Sequence, residues 1–151
     1  MESLNNTSDY KEALDKYGIC VVTTTGVSML PMLKSGVDSV VIKKVDRELR
    51  KYDCILYKRP SSGKYVLHRI IQIKNNELVL CGDNQWQRET GIKQENIIGV
   101  MDAYYKNEKY IPITKFSYKL YCRIRVSFRW MRFIRDKIHS MLSKIKHKLF
   151  K

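Results

Sequence analysis

The chain of 151 residues has a formal net charge of +14, and its 44% hydrophobic composition is ordinary for a single globular domain. The charge is concentrated at one end, because twelve of the 29 basic residues but one of the 15 acidic residues lie in the segment 115–151. No segment reaches the ~18 to 20 consecutive apolar residues that a membrane-spanning helix needs. The first 18 residues are polar and do not form an export signal.

A short helix and then a series of strands are predicted along the chain. Residues 8–17 have the capping residues of a helix, which stops at Gly18. Runs rich in β-branched and aromatic residues then predict strands, with turn residues between them. The predicted strands are 19–25, 37–45, 53–59, 64–73, 78–84 and 97–105.

The four cysteines, Cys20, Cys54, Cys81 and Cys122, are widely separated, and each lies beside apolar residues. Zinc sites normally use closely spaced pairs of ligands, so this pattern predicts no metal site. Because the sequence contains no recognisable signal peptide, we expect buried, reduced thiols rather than disulfides. Neither a metal nor an organic cofactor is predicted.

The register of the predicted hairpin, residues 64–73 and 78–84, determines which side chain lies opposite His68. If Asn75 and Asn76 form a two-residue turn, the numbers of opposed residues sum to 151, and His68 lies opposite Asp83. Directly opposed side chains share a face of the sheet, with Cβ atoms ~4.5 to 5.5 Å apart. We therefore expect this imidazole and this carboxylate to be in contact. A bulge or a three-residue loop would shift the pairing by one residue and separate them.

Ser28, His68 and Asp83 are the residue types of a nucleophile, its base and an orienting acid. A serine hydroxyl attacks when a base takes its proton, and neutral histidine suits this task because its reference pKa, ~6.5, is near working pH. A neighbouring carboxylate holds the required tautomer and stabilises the imidazolium. Taken alone, Ser28 is an ordinary loop hydroxyl. His68 alone, between Val66 and Ile70 on one face, is an ordinary core histidine.

Three segments, in their order and approximate spacing, resemble the successive motifs of the signal peptidase I family. They are Gly-Val-Ser-Met-Leu-Pro-Met-Leu at 26–33, Tyr-Val-Leu-His-Arg-Ile-Ile at 65–71 and Cys-Gly-Asp-Asn at 81–84. The similarity covers roughly residues 24–100. The usual bacterial members of this family use lysine as the base, whereas its endoplasmic-reticulum, archaeal and sporulation-associated members use histidine. This chain has His68 at the deciding position.

The resemblance implies a serine endopeptidase in which His68 serves Ser28 first as base and then as acid. It also implies that the Ser28 backbone N–H, with a donor from near Gly26, stabilises the oxyanion. The hairpin register favours Asp83 as the third member. Glu89 is the alternative, because the histidine-type members also have a candidate acid several residues beyond the Gly-Asp-Asn motif.

Other features separate the chain from the family or fall outside its chemistry. Arg69 follows the base on the opposite face of the strand, where a structural ion pair is its predicted role. A membrane anchor ordinarily precedes the serine in this family, whereas polar residues and the strand 19–25 stand there. The Gly-Asp expected after the serine motif is present as Gly36-Val-Asp38, one residue longer. The LexA-type repressors share the fold but use lysine and carry a DNA-binding helix-turn-helix.

The C-terminal segment has the pattern of a basic amphipathic helix, with apolar residues every three or four positions. The stripe comprises Leu120, Ile124, Phe128, Met131, Ile134, Ile138, Met141, Ile145 and Leu149. Such a helix is suited to an anionic membrane surface, with Trp130 and Phe133 at headgroup depth. Packing of the stripe on the catalytic domain or on a partner is a second interpretation. Nucleic-acid binding is a third and is not favoured.

The sequence therefore predicts a mostly β catalytic domain of the signal peptidase/LexA type over residues 19–112. An N-terminal helical segment at 1–18 and a basic amphipathic helical tail at 113–151 flank it. The predicted function is serine-type cleavage of a precursor or leader peptide at or near a membrane, with the tail holding the protein peripherally from the cytoplasmic side. The alternative is a catalytically inactive membrane- or peptide-binding module of the same fold.

Overall fold

The computed structural model describes residues 9–75 and 77–149. Its elements in chain order are α1 (Asp9–Tyr17), β1 (Ile19–Thr23), β2 (Ser39–Lys43), β3 (Cys54–Lys58), β4 (Tyr65–Lys74), β5 (Glu77–Cys81), β6 (Glu89–Ile92), β7 (Ile97–Lys106), β8 (Lys109–Pro112), α2 (Phe116–Ser127) and α3 (Arg129–Leu149). The protein is thus mostly β, as predicted. Within the described residues, no helix combines the length and apolar character needed to cross a bilayer.

The eight strands form one antiparallel sheet in the order β1, β2, β7, β3, β4, β5, β6, and β8 pairs with β7. Alternation along the strands gives the sheet two apolar faces. One face carries Leu56 and Met101, and α1 and α2 cover it through Leu14 and Tyr118. The other face carries a second cluster that includes Ile70 and other buried apolar residues of β3, β5 and β6.

The predicted N-terminal helix and the six predicted strands are confirmed within a few residues at their ends. Ser8, the first residue of the predicted helix, lies outside the described residues. The sequence pattern does not predict β6 or β8, which have four residues each. Such short strands carry little alternation of their own, and their extended conformation depends on pairing with β5 and β7.

The four cysteines are buried with free thiols, which agrees with the prediction. Burial raises the pKa of Cys20 to about 11 and that of Cys54 to about 12. Both thiols are therefore protonated and unreactive near neutral pH.

The register of the β4–β5 hairpin differs from the prediction in the half that carries the chemistry. Near the turn, Lys74 pairs with Glu77 and Ile73 with Leu78, as expected. A bulge at Ile71 then inserts one residue into β4, so the pairs beyond it shift by one, ending at Arg69 opposite Cys81. The predicted placement of His68 opposite Asp83 is therefore wrong.

The C-terminal segment is two helices rather than one. The first, α2, ends at Ser127, and the backbone N–H of the following residue, Phe128, donates to the carbonyl of Ile124. Arg132 of α3 reaches back and donates to the Arg125 carbonyl at 3.0 Å, which satisfies an end carbonyl of α2. Tyr118 and Cys122 of α2 are buried in the core beneath the sheet, and the break separates this helix from α3.

Candidate active site

Ser28 lies in the loop between β1 and β2, which is closed by backbone hydrogen bonds at its base. The Thr24 N–H donates to the Asp38 carbonyl at 3.1 Å, and the Gly36 N–H donates to the Thr24 carbonyl at 2.8 Å. Met29 and Leu33, on either side of the motif proline, are buried in the core. The loop is thereby held firmly to the sheet, while the Ser28 side chain remains partly exposed.

Gly82 brings Ser28 close to His68. This glycine directly follows Cys81, which pairs with Arg69, the neighbour of His68 in β4. A Cβ atom added to Gly82 would meet the Ser28 carbonyl oxygen at 2.8 Å and the Ser28 Cβ at 3.0 Å. The Asn84 N–H donates to the same Ser28 carbonyl at 2.7 Å. The loop that carries Ser28 therefore lies against Gly82, one residue beyond the strand pair that adjoins His68.

A cavity joins the two groups. Ser28 and His68 both line a cleft of about 1390 Å³, together with residues of β1 and β4. A cleft of this size exceeds the ~300 to 1,000 Å³ of most small-molecule sites and suits a longer ligand. No direct hydrogen bond between Ser28 and His68 is present in the structure. Catalytic hydrogen bonds are often long in unliganded enzymes and shorten when substrate binds.

Glu89 is the acid that contacts His68. Its Oε1 lies 3.2 Å from His68 Nδ1. The Tyr57 oxygen lies 3.3 Å from the same nitrogen, and the Tyr57 hydroxyl proton is donated to Glu89 Oε2 at 2.6 Å. Because Nδ1 faces two acceptors, it carries the imidazole proton, and Nε2 is left with a free lone pair. Among the described residues, Nε2 has no hydrogen-bond partner, as a general base requires.

The strand geometry explains why Glu89 and not Asp83 reaches His68. Glu89 pairs with Leu80, and Leu80 pairs with Ile70, which lies on the His68 face of β4. After the bulge, Asp83 belongs to the opposite face with Arg69. Glu89, the alternative third acid named from the sequence, is therefore the one in contact with the predicted base, His68.

Burial and charge set the protonation states of this cluster. Burial lowers the pKa of His68 to about 4, although the carboxylate of Glu89 acts in the opposite direction. Burial alone would raise the pKa of Glu89, but hydrogen bonds from Arg59 and Tyr57 outweigh it and hold that pKa below its usual value. Near neutral pH the site therefore contains a neutral imidazole beside a charged carboxylate.

Asp83 forms a buried ion pair with Arg69. Arg69 Nε donates to Asp83 Oδ1 at 2.8 Å, and Arg69 Nη2 donates to Oδ2 at 2.7 Å. The two side chains are 0% and 3% exposed. Arg69 also donates to the Tyr118 hydroxyl at 3.0 Å, and the Tyr121 hydroxyl donates to Asp83 Oδ2 at 3.1 Å. This places the pair between the sheet and α2, which confirms the predicted ion-pair role of Arg69.

The oxyanion donors named from the sequence have different environments. The Ser28 N–H has no acceptor among the described residues and is available to a ligand. The Gly26 N–H donates to Ser35 Oγ at 3.0 Å and is already occupied. Gln85, which the sequence did not single out, lines the cleft, with its amide end beside Gly82. Its side-chain amide has no hydrogen-bond partner in the described part of the chain.

Arginines of the C-terminal helices hold the loop that follows Gly82, a feature with no signal in the sequence. Four successive backbone carbonyls, at positions 83–86, each accept from a different arginine. The pairs are Arg125 with Asp83, Arg135 with Asn84 (3.2 Å), Arg132 with Gln85 (2.7 Å) and Arg129 with Trp86 (2.5 Å). We call these four side chains the arginine clamp. The clamp stabilises the loop whose Asn84 binds the Ser28 carbonyl.

Comparison of the chain with models of protein families, with curated proteins and with solved structures found no match. The functional interpretation therefore depends on the motifs and on the geometry of the cleft.

Proposed function

We propose that the protein is a serine endopeptidase in which Ser28 is the nucleophile, His68 the general base and Glu89 the residue that orients the base. The observation that carries this proposal is the shared cleft of Ser28 and His68, with Glu89 Oε1 3.2 Å from Nδ1 and the Nε2 lone pair left free. The resemblance of the serine, histidine and Gly-Asp-Asn segments to signal peptidase I motifs supports the same residues. A precursor or leader peptide is the substrate class that the resemblance implies.

The proposed reaction has two stages. In the first, His68 Nε2 takes the Ser28 proton while Oγ bonds to the substrate carbonyl carbon. The peptide C–N bond then breaks, and the imidazolium gives its proton to the departing amine. In the second stage water attacks the acyl carbon, His68 takes a proton from that water, and the proton returns to Ser28 Oγ as the acid product leaves. Both products are released, and the enzyme is regenerated.

The surroundings of the cleft fit these steps. The negative oxygen that forms during attack needs hydrogen-bond donors, and the unoccupied Ser28 N–H is one. Gln85 also lines the cleft, and its side-chain NH2 group, which has no partner among the described residues, is a candidate for the second donor. The low pKa of His68 keeps the imidazole unprotonated near neutral pH, which is the form that a general base needs. The Glu89 carboxylate offsets the cost of charging a buried ring.

The test compares single substitutions in the full chain. Purified wild type, Ser28→Ala and His68→Ala are incubated with a mixed peptide library, and new termini are identified by mass spectrometry. We expect wild type to generate new termini and each variant to lose nearly all turnover while keeping a wild-type circular dichroism spectrum. Ser140→Ala and His139→Ala, at exposed positions of α3, are matched controls that should retain activity.

A non-catalytic peptide-binding module of the same fold predicts a different result. In that case wild type would generate no new termini, and peptide binding would survive both the Ser28 and the His68 substitution. Cleavage that persists in folded Ser28→Ala would refute the assignment of the nucleophile.

A further inference from the structure

Helix α3 exposes an apolar stripe along its described length. Its members are Met131 (52% exposed), Ile134 (43%), Ile138 (49%), Met141 (58%), Leu142 (57%) and Ile145 (47%). Their spacing places them on one face of the helix. A contiguous apolar surface of this kind normally marks an interaction site.

The stripe faces away from the catalytic domain. Arg132, which is 6% exposed, points into the domain and donates to the Gln85 carbonyl. Successive residues of a helix are about 100° apart, so Ile134 is about 200° around the helix from Arg132. Phe133, on the inner side, stacks edge-on against Trp86 with ring centroids 4.9 Å apart. The three clamp arginines that belong to α3, together with this aromatic contact, therefore fix α3 with its apolar stripe directed outward.

The charge of α3 indicates what the stripe binds. The helix contains seven Lys or Arg residues and one acidic residue, Asp136. Lys137 and Lys144 are exposed, and Trp130 is 57% exposed near the helix start. A second copy of this chain would bring the same positive charge to the interface and be repelled. An anionic bilayer offers an apolar layer for the stripe, negative headgroups for the lysines and an interfacial zone for tryptophan.

We propose that the outer face of α3 binds the surface of an anionic lipid bilayer, with the helix in the plane of the membrane and the stripe at the boundary of headgroups and acyl chains. This inference goes beyond the proposed function and does not depend on it, since binding needs neither Ser28 nor His68. Because the inner face of the same helix clamps the loop at 84–86, the bound membrane would lie next to the element that positions the active site.

The experiment measures sedimentation of the full chain carrying Ser28→Ala with two kinds of vesicle, phosphatidylcholine alone and phosphatidylcholine with about 30% phosphatidylserine. We expect binding to the anionic vesicles to be at least about tenfold tighter than to the neutral ones. Raising salt from about 0.1 to 0.5 M should weaken that binding by about tenfold or more, because screening shortens the range of the attraction.

Two sets of variants locate the binding surface. The triple variant Ile134→Ser, Ile138→Ser and Met141→Ser should bind anionic vesicles at least about tenfold more weakly, because it removes apolar area from the interface. Its melting temperature should stay near wild type, since these side chains are exposed. Val37→Ser, which removes a 65% exposed apolar side chain outside α3, is the matched control and should bind normally.

Three outcomes would overturn the inference. One is equal or absent binding to the two kinds of vesicle, and another is undiminished binding by the triple variant. The third is a different occupant: a dimer that the triple variant abolishes, or preference for a single-stranded oligonucleotide over vesicles at equal phosphate. Catalysis is measured separately on the protein with Ser28, so failure of either proposal is distinguishable from failure of the other.

Discussion

The buried Arg69–Asp83 pair allows the structural and catalytic roles of the two candidate acids to be separated. In Asp83→Asn the side chain keeps its shape but loses its charge, so the Arg69 guanidinium remains 0% exposed with no countercharge. Removing one partner of a buried ion pair costs about 3–5 kcal/mol. That is a large share of the roughly 5–15 kcal/mol by which domains are stable. For a chain of this size it corresponds to a fall of about 6–20 °C in the melting temperature.

The assay is thermal unfolding followed by circular dichroism, with Asp15→Asn as the control. Asp15 pairs with Lys44 at 2.7 Å, but both side chains are more than half exposed, and water takes the place of the lost contact. We therefore expect Asp15→Asn to melt at the wild-type temperature and Asp83→Asn to melt well below it. Below its melting temperature, folded Asp83→Asn should retain substantial turnover, since Asp83 does not contact His68.

Glu89→Gln should lose turnover but little stability, which is the opposite of the result expected for Asp83→Asn. We expect turnover to fall by roughly 10²- to 10⁴-fold, because the amide no longer stabilises the imidazolium. The loss of stability should be smaller than in Asp83→Asn, because Glu89 and its partner Arg59 are partly exposed. If Asp83→Asn melts like wild type but loses activity, while Glu89→Gln stays active, the assignment of the two acids is refuted.

Three further predictions follow from the site. Gly82→Ala places a methyl group 2.8 Å from the Ser28 carbonyl oxygen, so we expect turnover to fall by more than about 100-fold with the fold retained. Unchanged turnover with a wild-type circular dichroism spectrum would contradict the close approach of Gly82 to the Ser28 loop. The pKa of His68 is about 4 in the folded protein and ~6.5 in the unfolded chain. Between about pH 6.5 and pH 4 the unfolded chain therefore binds a proton that the folded protein does not, and the free energy of unfolding falls as the pH drops. In urea unfolding, the free energy of unfolding of wild type should fall by about 3 kcal/mol between pH 7 and pH 4 because of this residue, and His68→Asn should lack that contribution. The kcat/KM of wild type should stay level down to about pH 5. Arg132→Gln should raise hydrogen exchange in the clamped loop and lower kcat by about tenfold. Lys144→Gln, at an exposed position of α3, should change neither quantity. Equal hydrogen exchange in both variants would show that the clamp does not hold the loop.

Much of the candidate site could be predicted from the sequence alone, because the patterns that indicate it involve residues close together in the chain. The alternation of β4 and β5 predicts the hairpin, and the turn at Asn75 fixes its nearest pairs. The motif residues around Ser28 and His68 indicate the two groups that we propose to react, and both line one cleft in the structure. The periodicity of α3 predicts its apolar stripe, which the structure leaves exposed.

The sequence could not predict which acid contacts His68, because the contact depends on a single extra residue in β4. The bulge at Ile71 shifts the register by one, which moves Asp83 from the face of His68 to the face of Arg69. Side chains alternate with a period of two, so one inserted residue exchanges the faces of everything beyond it. Nothing in the local pattern distinguishes the bulged hairpin from the regular one.

The sequence by itself predicted six of the eight strands and the amphipathic C-terminal segment, and it indicated Ser28 and His68 as the proposed reacting pair. These depend on residue types and on spacing along the chain, where neighbours dictate local conformation. The tertiary structure alone decided that Glu89 meets His68, that Asp83 neutralises Arg69 and that the arginine clamp holds the loop beside the serine. Those contacts join residues distant in the chain, and the packing of the sheet against α2 and α3 selects which of several possible partners each buried charge obtains.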